Sequence, residues 1–112
     1  MHIHPTHLTN TIKQTTGKSP CFYFEEKIMV LAKKLGNRGI AANLVAPGIV
    51  ETDFTKRAFD SHPQMHDFIS SITALGRPGQ SDDIGGVIAF LCTEDARWIN
   101  AQRIEASGGM LL

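Results

Sequence analysis

Asn43-Leu44-Val45-Ala46-Pro47-Gly48-Ile49-Val50-Glu51-Thr52 is the stretch whose reading decides the fold class. With Ile40-Ala41-Ala42 ahead of it, the run to Ala46 has the length and continuity of a buried parallel strand. Pro47-Gly48 ends that run, because proline brings no ladder donor and glycine admits turn geometry closed to other residues. Beyond the break, Thr52, Asp53 and Thr55 suit a helix cap or a polar ligand contact. Open α/β sheets bind ligands just past the carboxyl ends of their strands, so a ligand is expected at this turn.

Upstream, Phe24, Ile28, Leu31 and Leu35 fall at i, i+4, i+7 and i+11, which predicts a helix from near Phe24 to Leu35. Glu25 and Glu26 sit near its start and Lys33 and Lys34 near its end, as the helix dipole prefers. Gly36 stops it, and Asn37-Arg38-Gly39 turns the chain into the strand. Residues 1–22 are expected to be a poorly ordered lead-in: 1–20 are polar, threonine-rich and without helix or strand periodicity. His2, His4 and His7 lie there without an accompanying carboxylate or cysteine, and no metal site is expected.

Downstream, Phe54, Ala58 and Phe59 suggest a short helix, and Pro63 opens a second with Phe68, Ile69 and Ile72 on its inner side. Gly76-Arg77-Pro78-Gly79 breaks the chain again. Lys56, Arg57 and Arg77 offer charge to an anionic substrate, against which stands the reading of a solvated face. Ser81 is the expected cap of a further helix whose first turn holds Asp82 and Asp83 and whose stripe is Ile84, Val87, Ile88 and Leu91. Gly85 and Gly86 weaken that helix, and close packing against a neighbour would explain them. Trp98 reads as core or interface packing, and a last strand near Gln102–Ala106 precedes a Ser107-Gly108-Gly109 turn.

Composition narrows the function classes. The chain has 112 residues, enough for one small domain, and 42% apolar content. Eleven basic residues balance eleven acidic ones, which removes the electrostatic case for nucleic acid or an anionic membrane. No apolar run approaches a membrane span, and residues 1–20 do not read as a signal or transit peptide. Cys21 and Cys92 are expected to be buried, reduced thiols in a cytoplasmic protein.

Three stretches carry a resemblance to one family. Residues 43–52 match Asn-x-Val-Ala-Pro-Gly-x-x-x-Thr, and Leu31-Ala32-Lys33-Lys34-Leu35-Gly36-Asn37-Arg38-Gly39-Ile40 is similar to Leu-Ala-Lys-Glu-Leu-Gly-x-Arg-Gly-Ile. Residues 98–109 fit Trp-Ile/Val-x-Gly-Gln-x-x-x-x-x-Gly-Gly, except that Ala101 replaces the first glycine. Each resembles the corresponding segment of the short-chain dehydrogenases/reductases, in particular members like the 3-oxoacyl-carrier-protein reductases. The resemblance covers about residues 24–112, the carboxyl-terminal third of a family member. It implies an α/β fold: the last two strands of a doubly wound, Rossmann-like parallel sheet with flanking helices, placed in residues 23–112. The two strands would form one crossover unit with an unpaired edge, marginal in water by itself. It further implies that Pro47, Gly48, Ile49 and Thr52 face an NAD or NADP cofactor, the turn lying on the nicotinamide ring and the threonine holding the carboxamide. The segment after Thr52 would fold over a small carbonyl or alcohol substrate.

Much of the family's chemistry has no counterpart in these residues. No Gly-x-x-x-Gly-x-Gly loop is present to cradle a pyrophosphate, nor an Asn-Asn-Ala-Gly segment. Tyr23 and Lys27 have the spacing of the catalytic Tyr-x-x-x-Lys pair but the wrong place in the chain. The family's tyrosine stands about 21 residues before the Arg-Gly turn and Tyr23 only 15 before Arg38, a difference of roughly 9 Å of helix rise and about 600° of rotation. Aligned without a gap, the expected tyrosine, lysine and serine fall at Gly17, Cys21 and His4. Tyr23 and Lys27 are therefore read as mimics and no catalytic residue is assigned. The function implied is that of a truncated NAD(P)-dependent oxidoreductase, inactive alone and binding cofactor weakly or not at all. The alternative is a non-catalytic module associating with full-length relatives, and a homo- or hetero-oligomer fits either.

Overall fold

The computed structural model describes residues 5–112, and the chain divides into two compact units. One comprises the chain up to Leu44 together with Asn100–Gln102; the other comprises Val45–Ile99 and Arg103–Leu112. Among the described residues no helix is long and apolar enough to cross a membrane.

In the first unit, helix α1 (Pro5–Thr16) packs on α2 (Pro20–Leu35). The segment expected to be a loose lead-in thus carries α1 and the first turn of α2 over its described residues. Helix α2 opens four residues ahead of Phe24 because Ser19 caps it, its hydroxyl accepting from the Phe22 N–H at 3.3 Å, and Pro20 supplies a preset first-turn φ. It ends in a 3-10 turn, Gly36–Arg38, and Gly39 then takes φ 73°, a left-handed conformation that favours glycine. The side facing inward is marked by Ala32, 3% exposed, whereas Phe24 and Leu31 of the predicted stripe are 51% and 46% exposed. Cys21 is free and exposed rather than buried, as it lies on the outward side of the first turn.

The strand expected from Ile40 begins only at Leu44. Asparagine side chains occupy the positions ahead of it: the Ala42 N–H donates to Asn100 Oδ1 at 2.9 Å and the Gln102 N–H to Asn43 Oδ1 at 3.0 Å. Strand β1 (Leu44–Pro47) then pairs with the last strand, designated β4 (Arg103–Ala106). Leu44 N–H donates to Gln102 O at 2.8 Å and Gly48 N–H to Ala106 O at 3.2 Å, so both strands advance together and the pair is parallel.

The second unit also contains a pair that the sequence does not announce. Strand β2 (Val50–Glu51) lies parallel to β3 (Gly79–Gln80), in register Val50↔Gly79 and Glu51↔Gln80. Between them run α3 (Asp53–Ser61) and α4 (Pro63–Ile72); after β3 comes α5 (Ser81–Leu91). On α4 the inner position is Ile69, 2% exposed, while Phe68 is 61% exposed. Gln80, not Ser81, flanks the start of α5, and its N–H donates to Asp83 Oδ2 at 2.7 Å. Added Cβ atoms at Gly85 and Gly86 would meet nothing within 4 Å, so no close neighbour of these glycines is present among the described residues. Cys92 caps the carboxyl end of α5 and is likewise exposed. Trp98 is 95% exposed and not core; the preceding 3-10 turn, Glu94–Ala96, buries Ala96 instead. The result is an α/β arrangement of parallel strands with flanking helices.

Candidate nicotinamide-side turn

Pro47, Gly48, Ile49 and Thr52 lie on one continuous segment of the second unit, at the carboxyl ends of β1 and β2. Three local devices hold it. A Cβ at Gly48 would stand 2.9 Å from Ser107 Cα and 3.0 Å from Ser107 O, so only glycine lets the turn lie this close to the Ser107-Gly108-Gly109 turn. Ile49 O accepts from the Gly79 N–H at 2.9 Å, which extends the β2–β3 pairing back into the turn. The Glu51 carboxylate accepts from Gln80 Nε2 at 2.8 Å, and His66 Nε2 of α4 stands 3.6 Å from its other oxygen.

Thr52 caps α3 in a reciprocal arrangement. Its Oγ1 accepts from the Thr55 N–H at 3.4 Å, while Thr55 Oγ1 accepts from the Thr52 N–H at 2.8 Å. Thr55 Oγ1 also donates to Val50 O at 2.9 Å, so a single side chain ties both ends of the Val50-Glu51-Thr52 segment. Beside Thr52 opens a cavity of about 620 Å³ whose lining includes Phe54, Lys56 and Phe59. Phe54 is 93% exposed, an unpaired aromatic at its rim. A smaller cavity of about 230 Å³ is lined by Gly48, Ile49, Arg77, Asp83 and Ser107 among others.

Arg77 is engaged by an acidic partner within the chain. Its guanidinium forms a fork on Asp83, Nη1 to Oδ2 at 2.7 Å and Nη2 to Oδ1 at 2.9 Å. The hydrogen bond from Arg77, with a second from the Gln80 N–H, lowers the Asp83 carboxyl to about 2, and the same Arg77–Asp83 bond raises the guanidinium. The pair fastens the Gly76–Gly79 turn to the first turn of α5.

Tyr23 and Lys27 are brought together with each other, on α2 in the first unit: Lys27 Nζ lies 5.1 Å from the Tyr23 ring centroid. The ammonium is over the ring face, a cation–π contact of two residues one helical turn apart. His2 and His4 lie outside the described residues, as does the side chain of His7. Thr55, read from the sequence as a capping residue, is in the capping box with Thr52. The Arg77–Asp83 and Gln80–Glu51 contacts join residues across loops and have no periodicity to reveal them.

Comparison with known proteins agrees with the local geometry. The family model described as enoyl-(acyl carrier protein) reductase matches residues 24–111. The 3-oxoacyl-[acyl-carrier-protein] reductase FabG of Escherichia coli is 35% identical over 82 residues, 73% of this chain and 32% of that protein. The structure of the reductase LugOII, described as catalysing a keto-reduction, superposes with a TM-score of 0.71 at 38% identity over 79% of this chain and 34% of that one. ElxO with NADP bound gives a TM-score of 0.68 at 31% identity, over 77% of this chain and 35% of that one. The chain spans about a third of the length of the curated relatives it matches. With its matched residues running from the body of α2 through both parallel pairs to the Ser107-Gly108-Gly109 turn, this chain belongs to the short-chain dehydrogenase/reductase family.

Proposed function

We propose that this chain forms the nicotinamide side of an NAD(P)-dependent oxidoreductase site, and that these 112 residues do not turn over substrate by themselves. The parent activity is hydride transfer between the cofactor and a carbonyl or alcohol. One observation supports the reading: a Pro-Gly turn and a capped threonine are fixed at the carboxyl ends of β1 and β2, each a member of its own parallel pair, and α/β sheets bind ligands at such ends. The residues fit the nicotinamide end of such a cofactor. Gly48 and Ile49 line one cavity at the turn, and Thr52 offers a hydroxyl on a second, open one. When bound, the cofactor supplies the hydride; the chain's own residues orient the ring and exclude water from one face. NADP in the ElxO structure supports a nicotinamide dinucleotide as the ligand class.

Turnover also needs a proton donor and a pyrophosphate cradle. Lys27 holds its ammonium over the face of the Tyr23 ring, a cation–π contact. A pyrophosphate needs several backbone donors at a glycine-rich turn. The test follows reduced-cofactor absorbance with a panel of ketones, for the chain and for Tyr23→Phe. No oxidation above background is expected from either, whereas turnover that disappears in Tyr23→Phe would show that a rearranged site works.

A second reading, a module that docks on full-length relatives through its last helix and strand, is favoured by Ile88 and Phe90 of α5, 49% and 46% exposed. Co-elution with an intact relative in size-exclusion chromatography supports docking, and separate elution at micromolar concentration opposes it.

A further inference from the structure

We propose that Gly109 is a positioning residue that fastens the carboxyl end of α4 to the turn supporting Gly48, so that residues 72–75, 107–111 and Gly48 open and close as one unit. The coupling is a property of this chain by itself; its bearing on a bound nicotinamide, and on a substrate beneath α3 and α4, rests on the reading above. The last residues of the chain run back along the end of α4. Ala74 N–H donates to Gly109 O at 3.0 Å, Leu75 N–H to Gly108 O at 3.1 Å and Leu111 N–H to Ile72 O at 2.8 Å, around an antiparallel bridge between Thr73 and Met110. Thr73 is buried, and its hydroxyl donates to Ile69 O at 2.7 Å, which ties the bridge to the last turn of α4.

The approach leaves no room for side chains. Gly108 and Gly109 have φ 64° and 74°, in the left-handed region that favours glycine. A Cβ at Gly109 would stand 2.8 Å from Ala74 Cβ, an atom fixed directly to the backbone. On its other side the same turn meets the nicotinamide-side segment: a Cβ at Gly48 would stand 2.9 Å from Ser107 Cα, and Gly48 N–H donates to Ala106 O at 3.2 Å. Ser107 joins the two sides through its own side chain, its Oγ accepting the Met110 N–H at 3.4 Å. From Ile69 to Gly48 the path therefore runs through backbone contacts and short side chains, which have little rotamer freedom with which to absorb a shift. Segments held in this way open as a cooperative unit.

The experiment measures amide exchange by NMR on the ¹⁵N-labelled chain, without cofactor, for the unsubstituted protein and for Gly109→Ala. The added Cβ drives the end of α4 off the turn, so exchange at Ala74, Leu75 and Leu111 is expected to rise about 5- to 30-fold, and exchange at Gly48 by the same factor. Cys92, whose N–H is bonded to Ile88 O and Ala89 O at the carboxyl end of α5, is the control in the same unit and should not change. Coupling is reciprocal, so Gly48→Ala should in turn quicken exchange at Ala74 and Leu75. Should Gly109→Ala fail to fold, the chain ending at Met110 removes the Leu111 bond without adding bulk, since Leu111 and Leu112 are exposed. Exchange at Ala74 and Gly48 is then expected to rise about fivefold, the worth of one hydrogen bond. A faster Ala74 beside an unchanged Gly48, in either variant, overturns the proposal. So does an unchanged Ala74, or a Cys92 that rises equally with the rest. None of these results bears on the ketone assay, whose outcome tests the cofactor reading separately.

Discussion

Gly48→Ala puts the close approach of the two turns to a direct test. The added Cβ would lie 2.9 Å from Ser107 Cα, and both the Cα and the carbonyl oxygen it meets are backbone atoms that no rotamer change can move aside. Non-bonded carbons settle at about 3.5–4.0 Å, so the turns must part by roughly 0.6 Å or more. The Gly48 N–H bond to Ala106 O is already 3.2 Å long. Parting along that direction takes it to about 3.8 Å, outside hydrogen-bonding range. Overpacking of this kind costs about 1–3 kcal/mol, a range that includes the lost hydrogen bond. Each kcal/mol lowers Tm by roughly 4–8 °C in a domain of this size. Thermal unfolding followed by circular dichroism measures the loss, and amide exchange at Gly48 localises it. Gly36→Ala is the control, since that glycine has helical φ and a Cβ there meets nothing within 4 Å. If Gly48→Ala melts with the unsubstituted chain and keeps its amide protection, the turn is not held by the contact with Ser107.

Two further outcomes are expected. Ala101 stands where the family pattern has glycine and adopts φ 58°, a left-handed conformation costing a non-glycine residue roughly 1 kcal/mol. Ala101→Gly relieves that strain but makes the unfolded chain freer, so the unfolding free energy from denaturant titration should rise by no more than about 1 kcal/mol and should not fall. The Asp83 carboxyl, lowered from its ordinary value to about 2, contributes stability that is present above that ordinary value and lost as pH falls through about 2. Carbon-13 titration of Asp83 should return that low midpoint, and Arg77→Gln should move it upward; an unmoved midpoint would mean that Arg77 is not its cause.

What could be read in the sequence was what has period or punctuation. The apolar stripe of α2, the Pro47-Gly48 stop and the closing strand all carry such marks, and each is in the structure within a few residues. The start of α2 was also marked, by Ser19-Pro20, but the polar residues ahead of it obscured the signal. Strands β2 and β3 are two residues each, too short for alternation to register. Ile40–Asn43 looked like strand because its alanines and isoleucine are apolar, yet the ladder positions there go to asparagine side chains. Burial was the least legible property. Apolar residues mark where a layer would pack, and Phe24, Leu31 and Trp98 remain open because nothing in the described structure covers them. At the turn, residue types suggested Thr52 and Thr55, but only the three-dimensional contacts revealed Gln80 and Asp83 as supports.

The site and the core therefore depend on different physics. Among the described residues the buried hydrophobic ones are Ala32, Ile69 and Ala96, while Phe54, Trp98 and Leu112 are almost wholly exposed. Covering one such large side chain is worth about 1.5–3 kcal/mol, so the apolar surface left open matters to the stability of the whole. The turn does not draw on that reserve. It is shaped by a glycine that admits Ser107, by a two-residue parallel ladder, and by a threonine whose hydroxyl spans Val50 and Thr52. These are short-range constraints among residues of one unit, each set by geometry rather than by buried area. A change that covers the exposed apolar faces should raise global stability while leaving the geometry at Thr52 as it is. Loss of the Thr55 hydroxyl should do the reverse, disturbing the site with little effect on the core.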